Sequence, residues 1–311
     1  MGLQLLMKKN NLTKMKKHFI FFVAIFICAN TIFAQQKNHT ELKNKLQSIA
    51  SKYKATVGLS VIELETNDTL SINNQIHFPM QSVFKLPLSL TVLHLAEKRK
   101  ISMQQKFFIS KKMLDNFSFS PLKNRNKGDS LWMSVDSLMM YAISYSDNLA
   151  TDVLFETIGG TKVANDYIHK IGFKNIQIKK TELEIGGNME LMYENNSPPY
   201  DISRLMKKFY EGKIVNENSK QKLLHYMIVN FSSDKRLKGY LQPNVVVAHK
   251  TGTSPFNDTL KNICNDAGII YLPNGKHLAV SVFVINSREN YEATEKMIAT
   301  LTKEIFDFYN K

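Results

Sequence analysis

Strand-forming, β-branched runs lie at both ends of this chain and helical periodicity fills the middle, so a sheet must be assembled from residues far apart in sequence. The early runs are Ala55 to Leu64 and Thr69 to Ile72; the late ones are Val245 to His249, Asp266 to Leu272 and His277 to Ile285. Pro273-Asn274-Gly275-Lys276 joins the last two as a hairpin turn. Between the two sets, apolar residues recur at helical spacing in Leu86 to Ala96, Val135 to Ile143, Leu149 to Ile158, Val163 to Ile171, Ile202 to Phe209 and Leu223 to Val229. Helices over Leu42 to Tyr53 and Tyr291 to Phe308 flank the strands. The expected class is α+β: an antiparallel β-sheet built from both chain ends, packed on helices, with an all-helical lobe inserted. Residues 35–85 and 235–311 form the expected α/β lobe and 86–234 the helical lobe, with a cleft between them as the natural ligand site. Irregular stretches over 117–130 and 179–200 interrupt the helices, and the second is long enough to mark a functional loop.

Ahead of this, lysines at 8, 9, 14, 16 and 17 precede an apolar run from Phe19 to Cys28 and a small residue, Ala34. That is the layout of a secretory signal peptide over 1–34, with Met15 as a start that leaves a short charged region before the apolar run. The run is about half the roughly 20 residues a membrane span needs, so no stable membrane anchor is expected and the protein reads as periplasmic or secreted. Removing 1–34 takes five lysines and no acids from a net charge of +14, leaving +9. The remaining lysines are scattered, without an arginine cluster or aromatic-basic interleaving, so nucleic acid is not an expected partner. Only Cys264 survives, which excludes an internal disulfide. The eight histidines contain no His-x-x-x-His pair, so neither a metal nor another cofactor is expected. A monomer is the expectation for a cleft protein of this size.

Three short strings carry the chemistry. Ser82-Val83-Phe84-Lys85 opens the apolar helix Leu86 to Ala96, which puts a hydroxyl at a sharp turn beside free backbone N–H groups and a lysine on the same helix face. A lysine so placed accepts the serine proton when it is neutral. The same Ser-x-x-Lys pattern begins at Ser51, Ser120, Ser219 and Ser232, but there the contexts are polar helix ends and loops. Ser146-Asp147-Asn148 starts another helix, with Ser146 or Asp147 as its N-cap. Lys250-Thr251-Gly252-Thr253-Ser254 ends a β-branched strand and offers a charge, hydroxyls and a backbone free to run beside a ligand.

In this order the strings resemble the signature shared by serine β-lactamases and penicillin-binding proteins, and the resemblance spans essentially the whole mature chain. Class A β-lactamases look closest, because Glu182 lies 36 residues and Lys250 lies 104 residues beyond Ser146. The resemblance implies hydrolysis of the β-lactam amide of penicillins and/or cephalosporins through an acyl-enzyme on Ser82. It implies Lys85, or Glu182 through a water, as acylation base, Ser146 as proton donor to the departing nitrogen, and Lys250 as the charge that shapes the local field. Asn148, Thr251, Gly252 and Thr253 are then substrate-binding; Arg236, 14 residues before Lys250, suits the substrate carboxylate, and Phe119 matches the aromatic at the cleft entrance. Glu182 is the expected activator of the deacylating water. The class usually reads Glu-x-x-Leu-Asn here, whereas this chain has Glu182-Leu183-Glu184-Ile185-Gly186, so Gly186 lacks the amide that helps hold that water. Asn188 or an altered loop is the expected substitute; the branch of class A with an enlarged Ω loop also departs from the pattern here, and Glu184 is the reserve base. Two alternatives share the three strings: a penicillin-binding D-Ala-D-Ala peptidase and a non-hydrolytic β-lactam sensor.

Overall fold

Side chains on a strand alternate faces, so a strand buried at every position must be covered on both sides. The computed structural model, which describes residues 39–127, 129–254 and 262–311, contains such strands. Nine strands occur among the described residues: β1 (Thr56–Glu63), β2 (Thr69–Ile72), β3 (Phe78–Pro79), β4 (Lys106–Ile109), β5 (Leu131–Ser134), β6 (Asn196–Ser197), β7 (Val247–Thr253), β8 (Asn262–Tyr271) and β9 (His277–Ser287). Five form one antiparallel sheet in the order β2-β1-β9-β8-β7, so the early and late runs meet where β1 pairs with β9. Burial is almost unbroken along β1, β8 and β9. Helix Pro199–Tyr210 packs on β1 and β9, where Ser203 Oγ donates to Ser60 O at 3.1 Å. Helix Tyr291–Tyr309 packs on β8 and β9.

A single large apolar cluster runs from this sheet (Ala248, Ile269, Phe283) through helix Lys85–Glu97 into helices Val135–Ser144 and Asn148–Ile158. Helix Lys85–Glu97 is buried continuously from Lys85 to Leu93, the pattern of a core helix rather than an amphipathic one. Residues 39–45 are helical and the helix continues to 50, while 46–311 make one compact body. The expected export signal, 1–34, lies outside the described residues.

Several boundaries differ from the sequence expectation. Strand β8 starts at Asn262 rather than Asp266, and β7 extends to Thr253, because each pairs with a neighbour through polar residues that hydropathy passes over. The stretch 117–130 contains a helix, Pro121–Arg125, capped by Ser120, and 179–200 contains a helix, Glu182–Gly187, capped by Thr181. The β4–β5 ribbon, with Phe108 opposite Trp132, is too short to show a period of its own. Gly275 occupies the left-handed region at φ +83° in the hairpin before β9, as the Asn-Gly turn requires.

Candidate active site

Close approach of two backbones builds this site. A methyl placed on Gly252 would lie 2.5 Å from Met80 O and 3.3 Å from Ser82 N, so only glycine lets β7 run against the turn Gln81–Phe84. From β8, the Asn265 amide donates to Pro79 O at 2.8 Å and Met80 O at 3.1 Å, fixing that turn from a second side. Gln81 itself stands at φ +49°, a strained conformation that presents Ser82 at the mouth of helix Lys85–Glu97. Ser82 lines a cleft of about 870 Å³ together with Ser146, Asn148, Glu182, Thr251, Thr253 and Phe119.

Two lysines lie fully buried beneath the cleft. A buried ammonium survives only where oxygens replace its water. Lys85 Nζ donates to Ser146 O and to Asn148 Oδ1, both at 2.8 Å, and is ion-paired with Glu182 Oε1 at 2.9 Å. With the Asp147 carbonyl at 3.5 Å it meets four oxygens, and Ser82 Oγ is not one of these hydrogen-bond partners. Lys250 Nζ donates to Ser146 Oγ and to Thr251 O, each at 2.8 Å. Burial, then the nearby Lys85 charge, hold the Lys250 amine well below the ordinary lysine range.

The Ser146-Asp147-Asn148 string divides its work. Ser146, at φ +57°, points its hydroxyl to Lys250. Asp147 is structural: its carboxylate accepts from Ala150 N, Leu122 N and Ser120 Oγ, all at 2.8 Å, capping one helix and tying down the start of another. Asn148 bridges Lys85 to the cleft.

Glu182 and Glu184 differ sharply in surroundings. The Glu182 side chain is 9 % exposed and faces Lys85. Glu184 is committed to a capping box, accepting from Thr181 N at 2.8 Å, and that backbone bond holds its carboxyl below the ordinary range. Asn188 caps the turn Met189–Glu194, accepting from Glu190 N at 3.1 Å. A Cβ on Gly186 would meet nothing within 4 Å, so the cleft is open where a side-chain amide would otherwise project.

Sequence reasoning missed Asp152. Its carboxylate accepts from Glu182 N and Leu183 N, both at 2.8 Å, and so anchors the N-terminus of the loop helix that carries Glu182. The only signal was an acid one helical turn after Asn148. Burial, outweighing the two N–H groups and assisted by the Glu182 charge, raises the Asp152 carboxyl from 3.8 to about 7. A raised folded-state pKa means that the folded protein binds the proton more tightly, so this group costs stability progressively as pH rises from about 4 through 7. Asp152→Asn is expected to flatten that part of the stability profile, as thermal melts at pH 5 and pH 8 would register.

Arg236 does not reach the cleft. It is 3 % exposed behind β7, donating through Nη1 to Gly252 O at 3.0 Å and Asn265 O at 2.8 Å, through Nη2 to Thr253 Oγ1 at 2.6 Å, and through Nε to Glu295 at 3.1 Å. Its charge meets the cleft through Thr253. Thr251 Oγ1 is held by Ser232 Oγ at 2.6 Å. Phe119 is 51 % exposed on the rim, and Phe231, stacked on Tyr145 with ring centroids 4.5 Å apart, adds a second aromatic that the sequence reading overlooked.

This geometry can be set beside known proteins. Residues 41–309 match the model of the β-lactamase enzyme family. A β-lactamase of Bacteroides uniformis is 35% identical over 295 residues, covering 94% of this chain and 99% of the relative. The extended-spectrum β-lactamase PER-1 of Pseudomonas aeruginosa is 36% identical over 268 residues, covering 86% of this chain and 87% of its own. The crystal structure of the TLA-3 extended-spectrum β-lactamase superposes with a TM-score of 0.85 at 40% identity, covering 88% of this chain and 99% of that one. With all but two described residues at each end inside the family match and its serine, lysine and glutamate strings gathered at one cleft, the chain belongs to the β-lactamase enzyme family as a class A serine β-lactamase.

Proposed function

We propose that the cleft hydrolyses the β-lactam amide of penicillins and/or cephalosporins through an ester on Ser82 that water, activated by Glu182, then releases. The observation that carries this reading is the buried Lys85–Glu182 pair at 2.9 Å, which puts a carboxylate where water can be deprotonated. Ser82 Oγ attacks the lactam carbonyl and yields its proton to Lys85 once that amine has given up its own, or to Glu182 through a water. Backbone N–H groups of Ser82 and Thr253 stabilise the oxyanion, worth about 3 kcal/mol per donor. Ser146, bonded to the Lys250 amine, delivers a proton to the departing nitrogen as the C–N bond breaks. Asn148 binds the acylamide, while Thr251 and Thr253, the latter held from behind by Arg236, meet the ring carboxylate beside Gly252. Water attack on the ester then frees Ser82 and the penicilloate-type acid. No step calls for a metal.

Residues 35–85 with 235–311 make one lobe in this reading and 86–234 the other, with the site between them. The N-terminal 1–34 directs export to the periplasm or beyond and is removed, and the mature protein acts as a monomer. A peptidase or a sensor would lack an activated water, so a purified protein that turns over a chromogenic cephalosporin many times excludes both.

The open space at Gly186 also supports acceptance of bulky cephalosporin side chains; PER-1 and TLA-3 are named extended-spectrum β-lactamases. Gly186→Leu is expected to lower kcat/KM for an oxyimino-cephalosporin by about tenfold while changing that for a small penicillin less than threefold, the scale of one filled apolar contact. Equal losses on both substrates would contradict it.

A further inference from the structure

Behind the cleft wall lies a buried charged cluster that none of the steps above employs. His249 precedes Lys250 on β7, and because strand side chains alternate faces, its imidazole lies on the side of the sheet opposite the Lys250 ammonium. It is 1 % exposed. Nδ1 lies 2.8 Å from Asp266 Oδ2 and 2.9 Å from Oδ1, on a β8 carboxylate that is itself fully buried. Nε2 lies 3.8 Å from Asp234 Oδ1 and 3.2 Å from Asn230 Nδ2. Only a neutral ring accepts from the Asn230 amide; a protonated one pairs its charge with Asp234 across 3.8 Å and leaves that amide its bond to His249 O at 3.3 Å.

The loop that supplies Asn230 and Asp234 also supplies Ser232 and Arg236, whose bonds hold Thr251 and Thr253. Its far end is fastened to the same Asp266, through Leu237 N at 3.1 Å. We propose that His249, bridging Asp266 and Asp234 as an imidazolium, is a positioning residue that clamps the loop 230–237 against β7 and thereby sets the two threonines for the ring carboxylate of the substrate. The inference rests on the carboxylate end of the cleft being where the proposed function puts it.

The charges around the ring agree with this. Asp266 faces it from β8 and Asp234 from the loop; Lys238 pairs with Asp234 at 2.8 Å; Arg236, on the same loop, is neutralised by Glu295 of the last helix. Burial pulls the imidazole pKa down, but the two aspartates outweigh it and raise it from 6.5 to about 9. The clamp is therefore complete below about pH 6.5 and is lost as pH rises through about 9.

Two measurements on the mature protein test the clamp. Imidazole NMR should show His249 titrating above pH 8, and Asp234→Asn, a change at a half-exposed residue outside the catalytic machinery, should move that midpoint down. Steady-state kinetics with a carboxylate-bearing penicillin should show KM rising across the same midpoint with kcat nearly level. In His249→Asn, KM at pH 7 should be raised about tenfold, a loss of one decade of binding, with kcat within threefold and no further alkaline rise. A midpoint near 6.5, a KM profile unmoved by Asp234→Asn, or a loss confined to kcat would overturn the clamp. Should His249→Asn not fold, the Asp234→Asn profile decides alone. A wild-type protein that does not turn over the penicillin at all would instead remove the proposed function, while the NMR midpoint would still report on the ion cluster.

Discussion

Glutamine at position 182 is expected to leave an enzyme that acylates once and then stalls. The amide keeps an acceptor oxygen toward the Lys85 ammonium, so the buried lysine is not stranded, but it cannot take a proton from water. Losing a positioned general base typically costs about 10²–10⁴-fold, and here the loss falls on ester hydrolysis. Stopped-flow with a chromogenic cephalosporin should give a burst of one equivalent followed by a near-flat line. Intact mass should show the adduct persisting. If Glu182→Gln turns over at close to the wild-type rate and Glu184→Gln stalls instead, the base is two residues along, and the capping box at Thr181 must open during turnover.

The second large effect is steric. Gly252→Ala puts a methyl 2.5 Å from Met80 O and 3.0 Å from Gln81 Cβ, and the nearer obstacle is backbone that cannot rotate away. Either β7 or the nucleophile turn must retreat. Overpacking of this kind costs about 1–3 kcal/mol of stability. A shift near 1 Å between Ser82 and the end of β7 would cost about 10²-fold in rate. Melting temperature and kcat/KM should therefore fall together, the second far more than the first would explain at 25 °C. Full activity in Gly252→Ala would mean that this approach of backbones does not place the reacting groups.

Much of the fold could be read from pattern because its sheet is covered on both faces. Unbroken β-branched runs such as those in β1 and β9 announce themselves, and the helices between them keep a clear period. What escaped was either too short or too polar: the β4–β5 ribbon, the two-residue pair β3–β6, and the extension of β8 back to Asn262. The site shows the same division. Ser82, Lys85, Ser146 and Lys250 are separated along the chain by motifs with fixed offsets, so local context was enough to nominate them. Arg236 was nominated for a direct contact, yet its place behind β7 depends on Gly252 O and Asn265 O, which are backbone partners no side-chain pattern records. Asp152 and His249 belong to the same class. Each acts on a neighbour through hydrogen bonds between residues far apart in sequence, and nothing in their flanking residues distinguishes them from a solvated acid or a strand histidine.

Peptide-mapped mass spectrometry of rapidly quenched mixtures of the unmutated mature protein with a penicillin tests the central claim most directly. The expected result is a substrate-mass adduct confined to the peptide bearing Ser82, rising within one turnover and decaying as hydrolysed product accumulates over many. An adduct that persists without product, or steady product formation with Ser82 never modified, would contradict it.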